Sequence, residues 1–211
     1  MSIQVHMLAL GALQTNCYIV ADTQSREAVI IDPSDEPQAI LALIQREGYT
    51  VREILATHTH FDHVLAAQPV KAATGAPFRL HMEGVQQLAR SQQIAQMYGL
   101  SAPEPAEADS FIAEGDVIEF GAVRLETIYT PGHSVGHVSF VLGSEKVVFS
   151  GDCLFRNSIG RTDLPGGDYN TLIATIYQKL IVLGDDYIVY SGHGPQTTIG
   201  YERLHNPFLL G

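Results

Sequence analysis

Basic residues are scarce in this chain: 12 Lys+Arg stand against 23 Asp+Glu, a formal net charge of −11. A nucleic-acid surface needs the opposite sign to neutralise phosphates, so the balance argues against a nucleic-acid partner. Cysteine is sparser still. Cys17 and Cys153 make no disulfide framework, and in a reducing compartment each reads as a small buried residue. No apolar run approaches the roughly 20 residues that cross a bilayer, so no membrane association is expected. Residues 1–20 lack a basic start and are broken by Gln4, His6, Gln14, Thr15 and Asn16, unlike a signal peptide; the expected location is the cytoplasm. A G-x-S-x-G elbow is also absent, so nothing marks a serine nucleophile.

What is present fits one substantial core. The 211 residues are 45% hydrophobic, which suits a single compact domain over 1–211 made of two halves, roughly 1–105 and 106–211. Short β-type runs at 3–10, 16–21 and 28–32 predict an antiparallel meander. Ile40, Leu41 and Ile44 behind Pro37 predict a helix over 36–45, ended by Gly48. A strand at 51–56, a helix at 64–73, a short strand at 78–80 and a long Gln-rich helix at about 83–98 follow. Residues 101–109, with Pro103 and Pro105, read as a surface connection. Beyond it come strands at 116–120, 123–130, 137–142 and 146–150, a helix at 171–180, a strand at 187–190 and a closing helix at 198–204. Strands followed by helices, twice, predict two mixed sheets face to face with helices outside, an α/β (α+β) chain.

The densest chemistry lies in Thr57-His58-Thr59-His60-Phe61-Asp62-His63. Imidazole nitrogens and carboxylate oxygens are donors that Zn²⁺ and neighbouring transition ions accept, and two ions close together need about this many ligands from one loop. On an extended backbone His58 and His60 project to the same side, and Asp62 keeps that parity until the chain turns into a helix, leaving His63 free to face a second ion. Three later strands also end on donors. Thr130-Pro131-Gly132-His133 delivers a histidine on a tight turn, Ser150-Gly151-Asp152 a carboxylate able to bridge, and Ser191-Gly192-His193-Gly194-Pro195 another histidine between glycines. His81 ends a strand on its own and reads as structural, with a ligand role as the alternative.

His58-Thr59-His60-Phe61-Asp62-His63 with His133, Asp152 and His193 resembles the five-motif pattern of the metallo-β-lactamase superfamily. The resemblance runs across nearly the whole chain and implies the αβ/βα four-layer sandwich with a metal centre at the edge between the sheets. Thr130-Pro131-Gly132-His133-Ser134-Val135-Gly136-His137, Gly151-Asp152-Cys153-Leu154-Phe155 and the ending through Asn206-Pro207-Phe208 are similar to the glyoxalase II group, in its short bacterial form. The family pattern implies His58, His60 and His133 on one divalent transition-metal ion, Asp62, His63 and His193 on a second, and Asp152 bridging. Zinc suits these donors, and iron and manganese accept the same set. His137 has no ligand slot and reads as a packing or supporting histidine, and Asp32 of Ile31-Asp32-Pro33 as structural. A hydroxide held between two ions is available at neutral pH, because coordination lowers the pKa of water from 15.7 to about 7 in favourable cases. The resemblance therefore implies hydrolysis of a small-molecule thioester, S-lactoylglutathione or a relative, with Asp62 and Asp152 as the catalytic carboxylates.

The long glyoxalase II enzymes carry a C-terminal helical region that supplies bases to glutathione, whereas this sequence ends at Gly211. Arg161 stands where those enzymes use a lysine, which makes it the candidate for a substrate carboxylate, and Asp163 stands where they use a tyrosine. Two other functions remain open. Gly160-Arg161-Thr162-Asp163 resembles the mononuclear iron persulfide dioxygenases, although those typically have cysteine at the position of His137; a non-catalytic metal-binding scaffold is the other. The oligomeric state is open, and a monomer is compatible with everything above.

Overall fold

The chain opens on an antiparallel meander, β1 (Ile3–Leu10), β2 (Thr15–Asp22) and β3 (Glu27–Ile31). The computed structural model describes residues 2–210. Helix α1 (Pro37–Glu47) starts at the proline, whose fixed φ and missing N–H suit a first turn. It ends at Gly48, in the left-handed region at φ 68°. Strand β4 (Thr50–Leu55) then runs parallel to β3 and carries the chain into α2 (Phe61–Val64) and α3 (Ala67–Thr74). Strand β5 (Phe78–Leu80), a single 3₁₀ turn at Met82–Gly84, α4 (Val85–Leu88), α5 (Ser91–Met97) and β6 (Ser110–Phe111) complete the first sheet, ordered β1-β2-β3-β4-β5-β6.

The second sheet uses β7 (Val117–Phe120), β8 (Val123–Tyr129), β9 (Val138–Leu142) and β10 (Val147–Gly151) as an antiparallel run. A small hairpin, β11 (Leu154–Phe155) and β12 (Ser158–Ile159), precedes α6 (Tyr169–Thr175), which continues at wider π pitch through Ile176–Leu180. Strand β13 (Ile188–Ser191) lies parallel to β10, and β14 (Thr197–Thr198) and α7 (Ile199–His205) follow, giving the order β14-β13-β10-β9-β8-β7.

Strand alternation sorts the apolar residues into layers. Tyr18, Val20, Val29, Ile31 and Leu55 of the first sheet meet Leu125, Phe140 and Phe149 of the second in one buried cluster between the sheets. Neighbours of opposite parity, Cys17, Ile19, Ala28, Ile30 and Ile54, face outward onto Ile40, Ile44 and Val70 of α1 and α3. On the far side Val141, Val148 and Val189 pack on Leu172, Ile176 and Ile199. The result is the expected pair of mixed sheets with helices outside. Among the described residues no helix is long and apolar enough to cross a membrane.

Two helix expectations are corrected. The segment expected as one helix over 83–98 is a turn and two short helices broken at Ala89 and Arg90. Tertiary contacts break it: Leu88 is buried in the cluster of the first sheet, while Ala95 turns to a separate cluster with Phe61 and Leu65. The helix expected over 64–73 begins earlier, inside the ligand-rich loop at Phe61, and is interrupted after Val64. The first sheet also extends past the expected connection, because Ser110 and Phe111 pair with Arg79 and Leu80. Two-residue strands such as β11, β12 and β14 are too short to leave a periodic pattern.

Candidate metal centre

Four strand ends meet at one edge of the sandwich. After β4, the amide and hydroxyl of Thr57 donate to Asp32 at 2.6 and 2.7 Å, which fixes the chain just before His58. The Thr57 carbonyl accepts from Val138 N at 2.8 Å and ties the loop to the second sheet. His133 follows β8 on Pro131-Gly132. There a Cβ on Gly132 would lie 2.3 Å from Leu172 N, so only glycine admits α6 this close. Asp152 follows β10 and His193 follows β13, and the two turns are joined by Gly192 N donating to Gly151 O at 2.8 Å. A Cβ on Gly192 would lie 2.1 Å from Asp152 Oδ1 and 2.7 Å from His63 Cε1, so the glycine leaves the room those side chains occupy.

The seven residues singled out as ligands converge. His60 Nδ1 lies 3.0 Å from His58 Nε2 and 2.9 Å from His133 Nε2. His193 Nε2 lies 3.3 Å from Asp62 Oδ2, and His63 Nε2 lies 3.6 Å from the same oxygen. Asp152 sits between the two groups, with Oδ1 3.4 Å from His63 Nε2 and Oδ2 3.5 and 3.6 Å from His133 and His193. The sets His58, His60, His133 and Asp62, His63, His193 each bring their ligand atoms within 4.8 Å of one another.

Outer hydrogen bonds decide which nitrogens face inward. His133 Nδ1 donates to the carbonyl of Arg161 at 2.8 Å, which leaves Nε2 as a lone pair. The Thr57 hydroxyl spends its proton on Asp32, so it accepts from His58 Nδ1 at 3.0 Å and turns His58 Nε2 inward unprotonated. His63 Nδ1 donates to Asp32 at 3.0 Å. His63 Nε2 and Asp152 Oδ1 are buried without a hydrogen-bond partner. Lone pairs facing one another without donors between them are costly unless a cation collects them, so the donor set fits transition-metal ions.

The electrostatics split the rings into two groups. Burial holds His58, His60 and His133 below the usual imidazole range, with His60 near 4, so these rings are neutral donors. Burial disfavours charge on His63 and His193 too, but neighbouring Asp152 and Asp62 raise both. Burial likewise opposes charge on Asp62, yet His63 and His193 bring it down to about 2. Asp152 lies well below the carboxylate range because nearby imidazoles outweigh its burial.

The other residues singled out lie around the centre. His137 accepts from the amide of Asp152 at 3.1 Å and stacks 5.0 Å from His58, a supporting contact. His81 lies against Tyr129 at 4.9 Å and joins neither ligand set. Cys153 is buried, with its thiol near the Thr130 carbonyl at 3.3 Å. Arg161 lines the cleft over the centre, but its guanidinium is paired with both oxygens of Asp163 at 2.7 and 2.8 Å.

Sequence reasoning missed several residues. Asp32, expected only as structural, is the acceptor that orients His63. The Thr15 hydroxyl donates to Asp62 at 2.9 Å, Asn16 donates to the carbonyls of Ser191 and Gly194, and Tyr18 to that of Ser191. All three belong to an apolar strand, and only their burial would have marked them. Above the centre lies a cavity of ≈ 1170 Å³, walled by α4 and α5 with Gln87, Arg90 and Tyr98, and by Val135, Arg161 and Leu164 opposite.

Two mixed sheets with helices outside and a His- and Asp-rich centre at the strand ends define a sandwich class of metal-dependent hydrolases. The chain belongs to the metallo-beta-lactamase superfamily, whose family model matches residues 10–193. It is similar to the hydroxyacylglutathione hydrolase GloC of Haemophilus influenzae, 38% identical over 207 residues, covering 97% of each chain. Among solved structures it resembles BLEG-1 B3 metallo-beta-lactamase at TM-score 0.90 and 40% identity, covering 99% of this chain and 100% of that one. It also resembles TTHA1623 in a di-iron-bound form at TM-score 0.89 and 41% identity, covering 97% and 100%. Divalent metal binding is a property of the family, and this chain carries candidate His and Asp sites for it.

Proposed function

We propose that the protein hydrolyses small-molecule thioesters, with S-lactoylglutathione or a related glutathione thioester as substrate, using two divalent transition-metal ions. The observation that carries this is the pair of three-residue ligand sets with Asp152 between them at the floor of an open cleft. The likeness to a relative named as a hydroxyacylglutathione hydrolase supports the choice of thioester.

His58, His60 and His133 would hold one ion, Asp62, His63 and His193 the other, and Asp152 both. Bound ions of this kind lower the pKa of water and polarise a carbonyl oxygen, which is the chemistry needed to open an acyl bond at neutral pH. The chain's own part is positioning. Asp32 fixes the ring of His63, the Thr15 hydroxyl fixes Asp62, and His137 fixes the backbone at Asp152. A departing thiolate needs no strong general acid, and the centre offers no protonated carboxyl to act as one, since Asp62 and Asp152 are both held ionised. Zinc suits the imidazole sites, and iron or manganese suit the mixed set equally.

The test is elemental analysis of the purified protein paired with turnover of glutathione, coenzyme A and simple thioesters and of a β-lactam. Two ions per chain and thioester hydrolysis, lost in Asp152→Ala without unfolding, are expected. Preferential opening of the lactam, or oxygen uptake with glutathione persulfide in place of hydrolysis, would overturn the reading.

A further inference from the structure

Two guanidinium groups line the cleft, those of Arg90 and Arg161. Arg161 is held by both carboxylate oxygens of Asp163 two residues away, so its charge is already matched. Arg90 has no carboxylate within ion-pairing distance among the described residues, and its side chain is exposed to the cleft. The acidic groups that share the lining are engaged elsewhere. Glu83 accepts from the Tyr129 hydroxyl at 2.7 Å and from Gly136 N at 3.2 Å, and Asp168 accepts from Thr171 N at 2.7 Å as the cap of α6.

The backbone that carries Arg90 is also held in place. The side-chain oxygen of Gln87 accepts from the Thr59 hydroxyl at 3.0 Å and the Ser134 hydroxyl at 3.1 Å, so α4 is pinned to the two loops that carry His58, His60 and His133. Leu88 is buried beside it, and Arg90 N donates to Gln87 O at 3.0 Å. The Cα of Arg90 therefore stands at a set height on the wall above the ligand sets, with a free side chain that reaches from it into the cleft.

We propose that Arg90, and not Arg161, is the specificity-determining residue that holds the carboxylate of the thiol portion of the substrate. The proposal rests on the thioesterase reading and sharpens it toward a peptide-like thiol, one of whose carboxylates Arg90 would hold. A planar guanidinium matches a carboxylate with two parallel hydrogen bonds. A thiol ending in a diphosphate would bring several charges to a cleft with one uncommitted cation, on a chain of net charge −11.

The experiment is calorimetric binding of S-hexylglutathione, a thioether that cannot be hydrolysed, and of its dimethyl ester, to the metal-loaded enzyme. Wild-type protein should bind the acid more tightly than the diester. Arg90→Ala should weaken acid binding about tenfold or more with the diester unchanged, and Arg90→Lys should recover part of the loss. Arg161→Ala should leave the acid-over-diester preference in place. Equal wild-type affinity for acid and diester, undiminished acid binding in Arg90→Ala, loss of the preference in Arg161→Ala, or tighter binding of S-ethyl coenzyme A than of the glutathione thioether would each overturn the proposal. Failure of the thioesterase reading shows separately, as absence of thioester turnover whatever the thioether affinities.

Discussion

Asp32 governs which nitrogen of His63 faces the centre, since its carboxylate accepts from His63 Nδ1 while also holding Thr57. It occupies the left-handed region at φ 52°, which asparagine tolerates, so Asp32→Asn keeps the backbone and alters the hydrogen bond. An amide N–H facing His63 Nδ1–H is a clash of donors, and losing such a supporting acceptor typically costs about 10–100-fold in metal affinity. Competition titration should show that loss at the site of Asp62, His63 and His193, with a smaller one at the site of His58, His60 and His133, which Asp32 reaches only through Thr57; unchanged affinity at the first site would remove Asp32 from its role. Gly192→Ala is a harsher change, because its Cβ would intrude on both Asp152 and His63. Elemental analysis should find the variant with less than half the wild-type metal, while its circular dichroism stays native.

At the level of elements, α7 secures the loop behind the centre. Buried Glu202 accepts from Asn157 N at 2.9 Å, from the side chain of Asn206 at 2.8 Å and from the Thr197 hydroxyl. Asn206 in turn donates to Ser158 O at 3.0 Å, so α7 grips the β11–β12 hairpin. The hairpin leads straight into Gly160 and Arg161, whose carbonyl orients His133. Glu202→Ala would leave the buried Thr197 hydroxyl without an acceptor, at a cost of about 1–3 kcal/mol, and would take from Asn206 one of its two acceptors and from Asn157 N its tie to α7. Urea unfolding should show a loss of about 1–3 kcal/mol; a change within experimental error would mean that the hairpin holds itself.

For the whole molecule, the ligand sets draw on strands of both sheets, so ion binding and sheet association are linked. A ligand that binds only the folded state at 100 times its dissociation constant stabilises it by about 2.7 kcal/mol. At about 2–4 °C per kcal/mol for a chain of this size, removing the ions should lower the melting temperature by about 5–10 °C. Thermal denaturation before and after chelation measures this, with recovery on adding zinc or iron back. No shift would show that the two halves associate without help from the centre.

The pattern 58–63, the donors at three later strand ends and the strand–helix order were all legible in the sequence, because ligand chemistry demands particular residue types and periodicity marks buried strands. That order was enough to predict two mixed sheets with helices outside. The broken helix at Met82–Met97 was not legible, since helical propensity is local while the burial of Leu88 and Ala95 against different neighbours is not. Thr15 and Asn16 read as polar breaks in the first twenty residues and Tyr18 as one residue of a strand, and only the approach of chain more than 40 residues away turns them into supports for Asp62 and the 191–194 turn. Arg90 and Arg161 look alike as sequence. Sequence puts Asp163 two residues from Arg161, but only the fold shows that the two pair side by side and that both arginines line one cleft, because a side chain's partner is set by distance in space.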